Sequence, residues 1–176
     1  MNKKIIIGVA LVAIIAVIAL ATFVNSHEGK TVNANASDLM PSINSFPSGS
    51  NWEFQDISSS GATYTDTDGV VSYAQGTYVE RIMSFSYTST IKIYVFDTTE
   101  NAKNAYNTTK ASFSGTNISN YGPFDQGFRY GDVLGYKYVF QEMNVYMEIN
   151  FGSILLGSET DKILSDIEKK IHNAAK

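Results

Sequence analysis

Apolar residues fall along this chain in four distinct spacings. From Ile5 to Val24 they are nearly continuous, interrupted only by Gly8 and Thr22. From Asn25 to Ala36 they lose any period among small and polar residues. In several stretches between Trp52 and Phe96, and again between Tyr136 and Phe151, they alternate with polar ones, the period of a strand with one buried face. After Asp97 and after Ser158 they recur every three to four residues, the period of a half-buried helix.

Read in detail, Trp52-Glu53-Phe54 begins a first strand, and the polar run Thr63–Gly69 reads as a hairpin connection. Val70–Glu80 predicts a second strand with a bulge at Gly76, and Ser86–Phe96 a third. In that third strand Ile91, Ile93 and Val95 share one face, and Lys92, Tyr94 and Phe96 the other. Tyr136, Tyr138 and Phe140, then Val145, Met147, Ile149 and Phe151, predict an antiparallel hairpin turning through Gln141–Asn144. Ser37–Ile43 predicts a short capped turn of helix, kept short by Pro41. Asp97–Glu100 starts a helix whose Ala102, Ala105, Tyr106, Thr109 and Phe113 lie at helical spacing, with Gly115 beyond its end. Tyr121-Gly122-Pro123 is expected to be loop. Ser158–Asp161 caps a final helix with Ile163, Leu164, Ile167 and Ile171 buried. Lys169, Lys170 and Lys176 gather at its C-terminal end, where the helix dipole favours cations. The order short helix, strands, helix, hairpin, helix predicts an α+β fold: an antiparallel sheet with helices packed on it.

The chain from about Ser37 resembles small exported domains of the PsbP-like type. The residues that carry the resemblance are Ile93–Asp97 followed by Glu100–Tyr106, then Gly131-Asp132 ahead of a strand, Tyr138–Gln141 turning through Asn144-Val145, and the closing amphipathic helix. The resemblance spans roughly Ser37 to the end. It implies an α/β/α sandwich and an accessory or binding role, and it carries over no functional residue.

The apolar run sets the address. Twenty helical residues span about 30 Å, the hydrocarbon thickness of a bilayer. Lys3 and Lys4 precede the run. The positive-inside rule then predicts a cytoplasmic stub at 1–4, a transmembrane signal anchor at 5–24, a linker at 25–36 and an extracellular domain at 37–176. Two alternatives compete. Ala19-Leu20-Ala21 has the small-x-small form of a signal-peptidase site, which would make the protein secreted, and a pilin-type leader is a further variant.

Charge and composition narrow the function. Beyond Val24 eleven Lys and Arg stand against 17 Asp and Glu, a balance of −6. An acidic body without basic runs argues against nucleic acid as a partner. With 0 Cys, disulfides, thiolate metal sites and thiol catalysis are excluded. His27 falls in the expected linker and His172 near the C-terminus, both read as solvated rather than held for catalysis. Ser89-Thr90-Ile91-Lys92 has the Ser-x-x-Lys form, but on a strand these two residues face opposite ways, and the companion motifs are missing. Asp66-Thr67-Asp68-Gly69 resembles the middle of a calcium loop, yet Tyr64 and Gln75 would occupy positions that need carboxylates. Asp166 and Glu168 form an acidic pair on the last helix with no matching acid in view. No metal or cofactor is expected. Three sequons, at Asn35, Asn107 and Asn117, are possible glycosylation acceptors.

The aromatic content is the remaining signal: 11 Tyr, 10 Phe and 1 Trp. Tyr is a good strand residue, and an exposed Tyr face also suits partner contact. Tyr136, Tyr138 and Tyr146 are the candidates for such a face. The expectation is a non-enzymatic, membrane-anchored extracellular binding or accessory domain with a protein or cell-surface partner. A lipid or small-molecule carrier or sensor domain with an apolar pocket is the alternative, and a hydrolase the third. If the anchor reading is right, residues 1–24 remain in the mature protein and partition with membranes. N-terminal sequencing that starts near Thr22 would contradict it.

Overall fold

The computed structural model describes residues 29–48, 51–61, 69–113, 118–132, 135–152 and 157–176. Within them seven strands pair in one antiparallel sheet: β1 (Asn51–Gly61), β2 (Val70–Ile82), β3 (Phe85–Phe96), β4 (Ile118–Asn120), β5 (Gln126–Asp132), β6 (Gly135–Glu142) and β7 (Val145–Asn150). Their order across the sheet is β1-β2-β3-β7-β6-β5-β4. Two meanders, β1–β3 and β4–β7, are thus joined side by side through the β3–β7 pair. The helix between them, α1 (Thr99–Ser112), makes the connection from β3 to β4, and α2 (Gly157–Ala174) closes the chain. The fold is α+β with a helix on each face of the sheet.

Strand alternation assigns the two faces. On one, Ile91, Ile93 and Val95 of β3 lie level with Ile149, Met147 and Val145 of β7. They join Ala74, Tyr78 and Phe140 in a core closed by Ile163, Leu164, Ile167 and Ile171 of α2. On the other face, Tyr94, Phe96, Tyr146, Val139 and Phe128 pack against Ala102 and Tyr106 of α1. The small Ala102 lets α1 lie close to the sheet. Thr98 caps α1 by accepting the N–H of Asn101 at 3.2 Å.

The folded unit begins at Thr31, not at Ser37 as expected for the end of a linker. Thr31 and Lys176 exchange backbone hydrogen bonds of 3.3 and 3.1 Å, and Val32 bridges Ala175. The buried Asn144 then brackets Val32. Its Oδ1 accepts the Val32 N–H at 2.6 Å, and its Nδ2 donates to the Val32 carbonyl at 3.1 Å and to the Phe96 carbonyl at 2.6 Å. A single buried valine in a polar stretch has no period, so no sequence pattern announces it.

The expected short helix at 37–43 is two 3₁₀ turns, Ala36–Leu39 and Ile43–Ser45, separated at Pro41. Leu39 and Met40 enter the α2-side core, and Lys170 Nζ donates to the Met40 carbonyl. Gly76 is not a bulge: it pairs regularly with Ile57 and Ile91, and the irregularities fall at Phe54/Asp56 and Val70/Ser72. Gly76 answers to packing instead, because a Cβ there would lie 3.0 Å from the Tyr78 ring and 3.1 Å from the Met40 sulfur. β4 and β5, which flank the Tyr121–Pro123 loop, have no counterpart in the pattern reading. Residues 5–24 lie outside the described residues.

Two outcomes follow for α2. Ile167 is fully buried, so Ile167→Asp places an unpaired charge in an apolar seam and costs roughly 3–5 kcal/mol, read as a large drop in Tm. Burial alone would raise the pKa of Asp166. The Ser45 hydroxyl at 2.7 Å and the Ser42 N–H at 2.8 Å, with Lys170 and Lys169 nearby, outweigh it and hold the group below its ordinary 3.8. A depressed carboxylate pKa contributes stability that is complete above the ordinary value and is lost as pH falls through the folded one. Denaturant titrations of Asp166→Asn should therefore show less acid-side loss of stability than the parent below about pH 4.

Candidate functional site

Cross-strand register builds rows of side chains on the α1 face. One row runs Tyr73, Tyr94, Tyr146, Gln141 and Gln126; the next runs Gln75, Lys92, Glu148, Val139 and Phe128; a third runs Thr90, Asn150, Lys137 and Tyr130. The three tyrosines of the first row pack in the aromatic cluster that α1 covers. The later rows turn polar because α1 ends at Ser112 and leaves that part of the sheet uncovered. The result is a half-open cleft of about 450 Å³. Its floor holds Gln75, Lys92, Glu148, Thr90, Asn150 and Lys137; Thr109 and Ser112 of α1 form one wall, and Phe113, just past the helix, forms another with Tyr130.

The charges on this floor are partly organised. Tyr146 Oη donates to Glu148 Oε1 at 2.8 Å and receives the Thr109 hydroxyl at 2.8 Å. Burial, reinforced by the Glu148 charge, pushes the Tyr146 phenol far above its usual range, and the same two causes raise Tyr130. Lys92 Nζ stands 4.0 Å from Glu148 Oε2, and Lys137 Nζ lies 5.9 Å from the centre of the Tyr130 ring. Phe113 packs on Tyr130 with centroids 3.9 Å apart.

A second surface lies at the turn between β2 and β3. β3 pairs with β7 only over Thr90–Val95, so its first residues and the facing end of β2 run on beyond β7. Here Met83 is 98% exposed and Phe85 63%, with Ile82 and Tyr87 also exposed. Met83 has φ 55, a left-handed conformation that a non-glycine residue adopts at a cost. Met143, in the β6–β7 turn, has φ 50 but is buried, and its N–H donates to Asp125 Oδ2 at 3.0 Å.

The sequence-derived candidates scatter. The expected tyrosine face does not exist as a surface: Tyr138 and Tyr146 are buried on opposite faces of the sheet, because one follows the α2-side alternation and the other the α1 side. Tyr136 is 39% exposed and lies against the Arg129 guanidinium, 4.8 Å from its ring centre, with Tyr121 on Arg129 at 5.0 Å. Ser89 is fully buried and accepts the Gly152 N–H at 3.1 Å, while Lys92 points to the other face, as strand geometry requires. Asn35 and Asn107 are exposed. Asn117, His27 and the Asp66–Asp68 loop lie outside the described residues; Gln75 is in β2, on the cleft floor. Asp166 serves the 3₁₀ segment rather than a second acid, and Glu168 lies on the same helix.

His172 is not a free, solvated side chain. Its Nε2 lies 2.8 Å from Oε1 of Glu142, a residue only 3% exposed, whose Oε2 accepts the Asp125 N–H at 2.6 Å. Burial raises the Glu142 pKa, and the His172 and Asp125 hydrogen bonds oppose that rise. The pair ties α2 to the β6–β7 turn. The pattern reading missed it because Glu142 sits in a predicted turn, where a charged residue is ordinarily solvated.

The chain is similar in fold to the extracellular domain of PknH from Mycobacterium tuberculosis. The two share 14% identity with a TM-score of 0.58, over 81% of this chain and 98% of that one. No family model and no curated protein sequence matches. The likeness establishes a shared small α+β fold.

His172→Ala leaves the buried Glu142 carboxylate short of one partner. It should lower stability by about 1–3 kcal/mol. Glu142→Gln in the His172→Ala background should recover part of that loss, and a two-variant denaturation cycle measures the coupling.

Proposed function

We propose that this protein is a membrane-tethered extracellular binding domain, without catalytic chemistry of its own, that presents the β2–β3 turn to a protein partner. The observation that carries this reading is Met83: almost wholly exposed, in a left-handed conformation, and flanked by exposed Ile82 and Phe85. A large contiguous apolar patch is uncommon on a free soluble surface. The buried Met143 sits in the same kind of turn with its side chain in the core, so its conformational cost has a local offset. Met83 would find such an offset in a partner.

The chemistry of the turn favours a protein over a lipid surface. Arg81 near the turn is paired with Glu53 at 3.1 Å, and residues 82–87 add no second cation to meet anionic lipid. The accessory role implied by the PsbP-like resemblance, and the extracellular location of the PknH domain of similar fold, support an extracellular accessory domain. A lipid carrier is disfavoured because the cleft floor is polar and charged. A hydrolase is disfavoured because Ser89 is sealed in the core and His172 is engaged with Glu142.

A photocrosslinking residue in place of Met83, activated in intact membranes, should give a discrete protein adduct. Phe85→Ser should abolish the adduct without changing Tm, since Phe85 is largely exposed. No adduct, or one indifferent to Phe85, would contradict the reading. Crosslinking to lipid instead would make the bilayer the partner.

A further inference from the structure

The floor of the cleft is more positive than the domain that surrounds it. Beyond Val24 the chain carries a net −6, yet the floor holds Lys92 and Lys137 against the single Glu148. Glu148 is already engaged: Oε1 accepts the Tyr146 hydroxyl at 2.8 Å, and Oε2 faces Lys92 at 4.0 Å. Lys137 forms no ion pair among the described residues and rests over the Tyr130 ring. One positive charge therefore stays uncompensated in a concave site.

The rest of the lining is short and polar. Thr90 and Asn150 make no side-chain hydrogen bond among the described residues and lie in succession on one side of Lys137 along the row, with Tyr130 on its other side. Gln75, Thr109 and Ser112 add an amide and two hydroxyls around the same space. Tyr130 and Phe113, packed together, supply an aromatic wall. The volume of about 450 Å³ lies within the range of small-molecule sites.

We propose that this cleft binds a small hydroxylated anion: a sugar or polyol with one carboxylate or phosphate group. The anionic group sits at Lys137, with Lys92 beside it. Hydroxyls of the ligand exchange hydrogen bonds with Asn150, Thr90, Gln75 and Ser112. The C–H face of the ring lies against Tyr130 and Phe113. A fatty acyl chain would strand both lysines and Glu148 against hydrocarbon, at a large desolvation cost. The ammonium of an amino acid would compete with Lys92 and Tyr146 for Glu148. The proposal is independent of the β2–β3 turn and would add a ligand input to a partner-binding domain.

The test is calorimetric titration of the full chain, in lipid nanodiscs, with glucuronate, glucose 6-phosphate and glucose, alongside amide NMR shifts. At least one of the two anions should bind about tenfold more tightly than glucose, and added salt should weaken that preference. The two anions distinguish a sugar acid from a sugar phosphate. Lys137→Ala should abolish the preference, Lys137→Arg should keep it, and shifts should centre on Thr90, Lys137 and Asn150. Binding of neither anion, equal binding of all three, or a preference that survives Lys137→Ala would overturn the proposal. The Met83 crosslink is a separate readout that Lys137→Ala leaves intact, so failure of either reading is visible without the other.

Discussion

The length of α1 governs the usable surface of this domain. Fourteen residues make a helix of about 21 Å, which covers the aromatic rows of its sheet face and then stops. The opposite face receives α2, four residues longer, together with the segment from Val32 to Phe46, and its core is continuous. The uncovered part of that face carries mostly polar side chains. Along β3 the α1-side residues change accordingly, from Phe96 and Tyr94 to Lys92 and Thr90. The cleft is the geometric remainder of a helix shorter than the sheet it covers.

The two ends of the sheet are built differently. At the β6–β7 turn, Asn144 satisfies three backbone groups in the interior, Asp125 holds the turn, and Glu142 reaches His172. Buried polar groups paired in this way fix a unique arrangement, and both chain ends of the folded unit are fastened there. At the β2–β3 turn the strands run on past β7 and end in apolar side chains that face water. One end is closed by hydrogen bonds; the other leaves Ile82, Met83 and Phe85 exposed.

Much of the fold was legible in the chain. Alternation through Ile91, Ile93 and Val95 and through Val145, Met147 and Ile149 placed the central strands and their buried face. The helical stripe of Ile163, Leu164, Ile167 and Ile171 placed α2. β4 and β5 were missed because three residues are too few for a period, and because Gly127 and Gly131 break the alternation around Phe128 and Tyr130. The cleft was not read from the chain: alternation put Lys92 on the same face as Tyr94 and Phe96, but no local pattern says that Glu148 and Lys137 join it.

By itself, then, the sequence determined the α+β class, the helix and central-strand assignments, the absence of thiol chemistry and the opposed faces of Ser89 and Lys92, because these depend on local period and residue chemistry. The tertiary structure alone decided which tyrosines are buried, that Thr31–Ala36 belongs to the fold, that Glu142 binds His172, and that three strands bring Lys92, Glu148 and Lys137 onto one floor. Each of these depends on strand order and register between segments far apart in the chain, and a pattern read along one strand carries no information about which strand lies beside it.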